Sequence, residues 1–318
     1  MKETFLATLS PMLVLFMCIV IGFILKKFRI LPSNSGTVMS KLETYVFVPA
    51  LTVSTFMNYC TVESLATHSN LILYSSIAVL LAMAIAIPLS HLFVKEGSYK
   101  RNIYKYALAF ANCGFMGNAI VPAVLGAADE AILYKYLLFT LPLSLAIYSW
   151  GIYILVPRGE GHGGLLKNLL NPSIIAMLIG MILGLTGVGK YLPGFVVTVI
   201  DNCKVCMGPV AMILTGFVIG GYSIKELLKD KKVYVATGLR LIVLPAVILA
   251  VLWLLGASEL VLTLALFAFA TPLGLNTVVF PSAYGGDTKP GASMAAISHT
   301  LCVVTIPIMY ALLTLILK

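Results

Sequence analysis

Two passages carry the residue types that can recognise a ligand. One is Asn112-Cys-Gly-Phe-Met-Gly-Asn118, followed by Pro122. The other is Thr271-Pro-Leu-Gly-Leu-Asn-Thr277, followed by Pro281. Each lies in the middle of a long apolar run. Glycine and proline weaken a helix, and an asparagine amide is costly in an apolar medium unless it is bonded. Such backbone persists at membrane depth only where it faces protein or a watery cavity. A helix broken there leaves free N–H groups at the start of its second half, which suit an anion, and free carbonyls at the end of its first half, which suit a cation or a donor. The amides and hydroxyl can both donate and accept. The chemistry is therefore reversible recognition of a polar or carboxylate solute, with no bond made or broken. The candidate substrate-binding residues are Asn112, Gly114, Gly117, Asn118, Thr271, Pro272, Asn276 and Thr277, with Pro122 and Pro281 shaping the crossover. The competing explanation is that these side chains only cap broken helices; the two roles are compatible.

Ionisable groups inside the apolar runs are few. Arg240 lies eight residues past Lys232, roughly 12 Å along a helix. Either it snorkels to the cytoplasmic surface, or it offers a cation to an anionic substrate or pins two helices. His299 is either a hydrogen-bonded core residue or a proton-coupling group. Glu43, Asp201 and Lys204 fall near helix ends and read as interface residues. The broken passages hold no Asp or Glu, which argues against exchange of bare cations and for an organic or anionic substrate. No HExxH, P-loop or intramembrane Asp pair is present, so neither an enzyme nor an ATP-driven pump is supported, and no cofactor or metal is implied. The six cysteines fall mostly inside apolar runs and behave as small apolar residues.

The elements that must position these residues are membrane helices. Residues of the AVILMFWYC set make up 60% of the 318 residues and charged residues only 10%, against roughly 25% in a soluble domain. Ten largely charge-free runs, from Thr4–Leu25 to Pro290–Leu317, are each long enough to cross a bilayer. The first reads as helix one, not as a cleavable signal. The net charge of +9 comes from loops of one side, which hold fifteen of the 21 Lys and Arg. That asymmetry orients the protein with both termini outside the cytoplasm; it does not recruit nucleic acid. Prolines recur in order between the halves, Pro11 with Pro172, Pro49 with Pro209, Pro88 with Pro245 and Pro122 with Pro281, at offsets of 157–161 residues. Ala109-Phe-Ala-Asn112 aligns with Ala268-Phe-Ala-Thr271. Five spans per half, an odd number, makes the second half insert upside down. The expectation is an all-α membrane protein of two inverted five-helix repeats, 1–157 and 168–318, as in secondary transporters.

The residues that carry these features also resemble the auxin efflux carrier family in its bacterial form. The resemblance rests on Asn112-Cys-Gly-Phe-Met-Gly117, Asn171-Pro-Ser-Ile-Ile175, Gly208-Pro-Val-Ala-Met-Ile-Leu-Thr-Gly216 and Pro272-Leu-Gly-Leu-Asn-Thr-Val-Val-Phe280. It covers most of the chain. The family usually has a proline two residues after Gly117; Ala119 stands there instead, and Pro122 comes three residues later. The resemblance implies a fold related to bile-acid symporters and sodium/proton antiporters. It implies a scaffold of spans 1, 2, 6 and 7 with a homodimer contact, and an elevator-like transport domain of spans 3–5 and 8–10 with broken spans 4 and 9. It also implies a plasma-membrane permease for a small organic anion such as auxin, malate or malonate. A sodium-coupled bile-acid-like symporter and a passive channel or receptor are the competing readings.

Overall fold

The computed structural model describes residues 2–94, 98–155, 171–273, 275–278 and 288–317. These residues are nearly all helical, and no strand longer than an isolated bridge occurs among them. The helices are α1 (Lys2–Lys27), α2 (35–59), α3 (Asn70–Leu92), α4 (Tyr99–Ala109), α5 (Cys113–Leu125), α6 (Ile132–Leu155), α7 (Pro172–Thr186), α8 (Gly194–Gly220), α9 (Lys231–Leu254), α10 (Glu259–Phe269) and α11 (Lys289–Ile316). Six of them, α1, α3, α6, α8, α9 and α11, are long and apolar enough to cross a membrane. Side chains such as Val14, Met17, Leu73, Leu80 and Ile182 stand exposed along the apolar helices, as lipid-facing residues do.

Local sequence sets the helix ends. Asn171 caps α7: its Oδ1 accepts from the N–H groups of Ser173 and Ile174 at 3.0 and 3.1 Å, and Pro172 fills the first turn, where no N–H is needed. Gly187 closes the same helix with φ 71°, a left-handed conformation that favours glycine. Ser258 caps α10 and Asp230 caps α9. Four helices contain a wide π-turn, at Glu43–Phe47, Cys113–Gly117, Ile147–Gly151 and Leu239–Val243. Each inserts extra backbone and turns the side chains beyond it out of α-helical register.

Close packing without a hydrophobic drive needs small residues at the contact. The most extensive helix pair is α1 with α8. A Cβ on Gly22 would stand 1.9 Å from the Ile213 carbonyl oxygen, and one on Gly216 1.8 Å from that of Ile19, so backbone lies on backbone. The next is α2 with α7, where Gly184 meets the carbonyls of Phe56 and Cys60 in the same way. Between α2 and α8, Ser54 donates to Asp201 Oδ1 at 2.9 Å and accepts from Lys204 Nζ at 3.2 Å. Helices α3, α4, α6, α9 and α10 pack mainly among themselves, while α11 packs on both groups and most extensively on α1.

Candidate functional site

Helix α4 stops at Ala109 because the chain turns extended: Phe110 has φ −119° and ψ 128°. It resumes at Cys113 after Asn112, whose carbonyl accepts from both Met116 and Gly117 at 3.1 Å. In the second half, α10 stops at Phe269 and the buried hydroxyl of Thr271 turns back to the Ala268 carbonyl at 3.3 Å. The two breaks then pair with each other. The Asn112 N–H donates to the Pro272 carbonyl at 2.8 Å, and Ala111 and Leu273 form an antiparallel bridge. The Leu273 N–H is satisfied by Ser298 Oγ at 3.2 Å. The interrupted segments thus meet, and their exposed main-chain groups partly satisfy one another.

Two small cavities, ≈ 90 and ≈ 70 Å³, adjoin this crossing, enough for several waters or a small ion. Both are walled by Cys113, Gly114, Ser144, Tyr148 and Ser173, and neither has an acidic residue among its described walls. Gly114 is exposed, and a Cβ there would meet open space. As part of the first turn of α5, its N–H has no intrahelical acceptor. A third, larger cavity of ≈ 360 Å³ lies beyond α5, walled by Thr55, Asn118, Pro122, Glu130, Lys204 and Pro209 among others. Asn118 borders the ≈ 90 Å³ and the ≈ 360 Å³ cavities, is only 4% exposed, and its Oδ1 has no hydrogen-bond partner. Pro122 faces the larger space; Pro281 lies outside the described residues.

The remaining candidates divide by what they touch. Asn112 Nδ2 lies 3.2 Å from His299 Nε2, while His299 Nδ1 lies 2.8 Å from the Ala295 carbonyl. A carbonyl only accepts and an amide nitrogen only donates, so this arrangement holds the neutral, Nδ1-protonated ring. Asn276 donates to the Tyr106 hydroxyl at 2.8 Å and borders the ≈ 70 Å³ cavity. Thr277 is buried against α11, where a Cβ on Gly291 would stand 2.4 Å from its carbonyl oxygen. Gly117 is needed for packing: a Cβ there would stand 1.9 Å from the Tyr136 hydroxyl, which donates to the Cys113 carbonyl at 3.1 Å.

Two charged residues differ from the surface and interface roles read in the sequence. Arg240 does not snorkel: it is 0% exposed, and none of its three guanidinium nitrogens has a partner. Its π-turn packs on α4 and α11, its guanidinium carbon stands 6.0 Å from the Phe269 ring, and Cys113 is its electrostatic neighbour. Glu43 is also wholly buried, with both carboxyl oxygens unpartnered. Sequence reasoning missed Tyr106 and the stripe Thr140, Ser144, Tyr148 on α6. Its four-residue spacing, one helix face, was the available signal.

A family model of membrane transport proteins matches residues 7–310. The chain belongs to the auxin efflux carrier family of membrane transport proteins. Like other proteins of this auxin efflux carrier family, it is a multi-pass membrane transporter. It is also similar to a protein described as an uncharacterized transporter from Methanothermobacter thermautotrophicus, 20% identical over 308 residues, 96% of this chain and 98% of that one.

Proposed function

We propose that this chain is a secondary active transporter that carries a small organic anion, a mono- or dicarboxylate, across the cytoplasmic membrane by alternating access. The observation that carries the reading is the main-chain pairing of two broken helices, Asn112 N–H to Pro272 carbonyl, beside cavities walled by polar groups. On this reading α4–α5 and α10 with the residues after it form two broken spans of a ten-span protein. Helices α1, α2, α7 and α8 form the scaffold, and the rest form the moving domain. The packing supports the inverted repeat: α1 on α8 and α7 on α2 are the two glycine-faced pairs, and the repeat relates one to the other. Both termini face away from the cytoplasm, in keeping with the basic loops.

The anion sits at the first turn of α5, where the N–H groups of Cys113 and Gly114 have no intrahelical carbonyl acceptor. Asn118 borders the ≈ 90 Å³ cavity and Asn276 the ≈ 70 Å³ one; their amide N–H groups donate to the carboxylate, while Asn118 Oδ1 accepts from a hydroxyl or N–H elsewhere on the solute. The test is uptake of radiolabelled malate and indole-3-acetate into proteoliposomes of the purified protein. Saturable uptake with counterflow, independent of sodium, is expected. Sodium-dependent uptake favours a symporter of the bile-acid kind, and flux that never saturates makes the protein a channel.

A further inference from the structure

Arg240 poses a charge problem that the crossing alone does not solve. The guanidinium stays protonated in any protein environment. It is completely buried, and its Nε, Nη1 and Nη2 have no hydrogen-bond partner. Burying an ion without a counter-ion is among the most unfavourable arrangements in a fold. The one fully buried carboxyl among the described residues, Glu43, is itself unpartnered, so the two do not pair. His299 is held neutral by its two hydrogen bonds. The Phe269 face at 6.0 Å offers only weak compensation. Among the described residues the crossing therefore holds one net positive charge. That charge interacts electrostatically with Cys113, a residue that walls both small cavities, and lies 6.0 Å from the ring of Phe269 at the end of α10.

We propose that Arg240 is the fixed counter-charge of the transport cycle: the empty carrier is +1 at the crossing and becomes neutral when it binds a monovalent anion. This inference rests on the anion-transport reading and adds a substrate valence and an electrical cycle to it. The loaded, neutral crossing moves through the low-dielectric membrane readily, whereas the empty, charged one moves slowly. Exchange of one anion for another is then faster than net uptake, and the membrane potential acts on the empty limb. A dianion would leave the loaded crossing at −1, so monocarboxylates are preferred over fully ionised dicarboxylates. Arg240 acts through its field, not by lining the cavity. It is a positioning and charge-balancing residue.

The test uses the full-length protein in proteoliposomes with indole-3-acetate as the monovalent probe, malate as the divalent one and indole-3-acetamide as the neutral one. For the wild type, counterflow of indole-3-acetate should exceed net uptake at least tenfold. It should not respond to an imposed potential of about 100 mV, which weighs up to roughly fiftyfold on a full charge crossing the membrane. In Arg240→Gln the ratio should fall towards one, counterflow should become voltage-dependent, KM for the acid should rise at least tenfold, and the acetamide should compete as well as the acid. Arg240→Lys should restore the wild-type pattern in part. A folded Arg240→Gln protein with wild-type ratio, KM and charge preference overturns the proposal. Where that variant fails to fold, the wild type decides: equal exchange and net rates, or malate preferred as the dianion, overturn it. If neither carboxylate is taken up by folded wild-type protein, the anion reading itself is wrong.

Discussion

Gly117 separates a packing role from a ligand role in one experiment. In Gly117→Ala the new Cβ would stand 1.9 Å from Tyr136 Oη and 2.8 Å from Cζ. The Tyr136 ring is fully buried, and its hydroxyl donates to the Cys113 carbonyl at 3.1 Å. The ring cannot retreat without losing that bond. The buried acceptor left behind costs about 1–3 kcal/mol. Over-packing adds about 1–3 kcal/mol. Tyr136→Phe removes the oxygen that clashes, so Gly117→Ala with Tyr136→Phe should be less destabilising than the sum of the single variants by at least about 1 kcal/mol. Denaturant unfolding in micelles, monitored by tryptophan fluorescence, reads this; Trp150 lies 5.7 Å from Phe110 beside the break. A Gly117→Ala protein of unchanged stability but raised KM would refute the packing argument and make Gly117 a substrate contact.

Tyr106→Phe removes the hydroxyl that fixes Asn276 at 2.8 Å. It should cost about 1 kcal/mol of stability and raise KM in an uptake assay; wild-type kinetics would show that Asn276 needs no such support. Glu43→Met removes a buried carboxyl with no partner and should raise the unfolding free energy by about 1–3 kcal/mol; a fall in stability would mean that Glu43 has a partner in the membrane. Glu226, an exposed residue outside the spans, is bonded to Lys289 at 2.7 Å, and that hydrogen bond and charge hold its carboxyl below the usual range. A depressed value contributes stability above the unfolded-state value, about pH 4.3, and loses it as pH falls through the folded value. Glu226→Gln should therefore lower the midpoint slightly at pH 7 and remove the matching decline below about pH 4.3, so that the two proteins converge in acid, with a smaller difference in high salt. An unaltered acid slope would contradict it.

Much of the fold is written in composition and punctuation. Gly114 and Pro272 lie beside breaks because glycine and proline weaken helices whatever surrounds them, whereas Pro122 is carried inside α5; the recurrence near 160 residues points to matched places in the two halves. Their pairing through Asn112 and Pro272 reflects the need to satisfy main-chain groups away from water. The direction in which side chains point was not legible. Arg240 and Glu43 each lie in a π-turn. An added residue per turn rotates the downstream helix by roughly 100°, enough to move a charge from the lipid surface into the interior. Tyr106 was hidden for another reason: its role depends on Asn276, a residue 170 positions away, and no local pattern records that contact.

The central claim is that solute is held at the junction of the two interrupted helices, with Asn118 and Asn276 as its polar contacts. The most direct measurement is carboxylate uptake into proteoliposomes by Asn118→Ala and Asn276→Ala, each matched to the wild type for folded protein by its unfolding midpoint. A drop of at least tenfold in both, with the midpoints preserved, is expected. Wild-type uptake by both variants would place the solute elsewhere in the molecule.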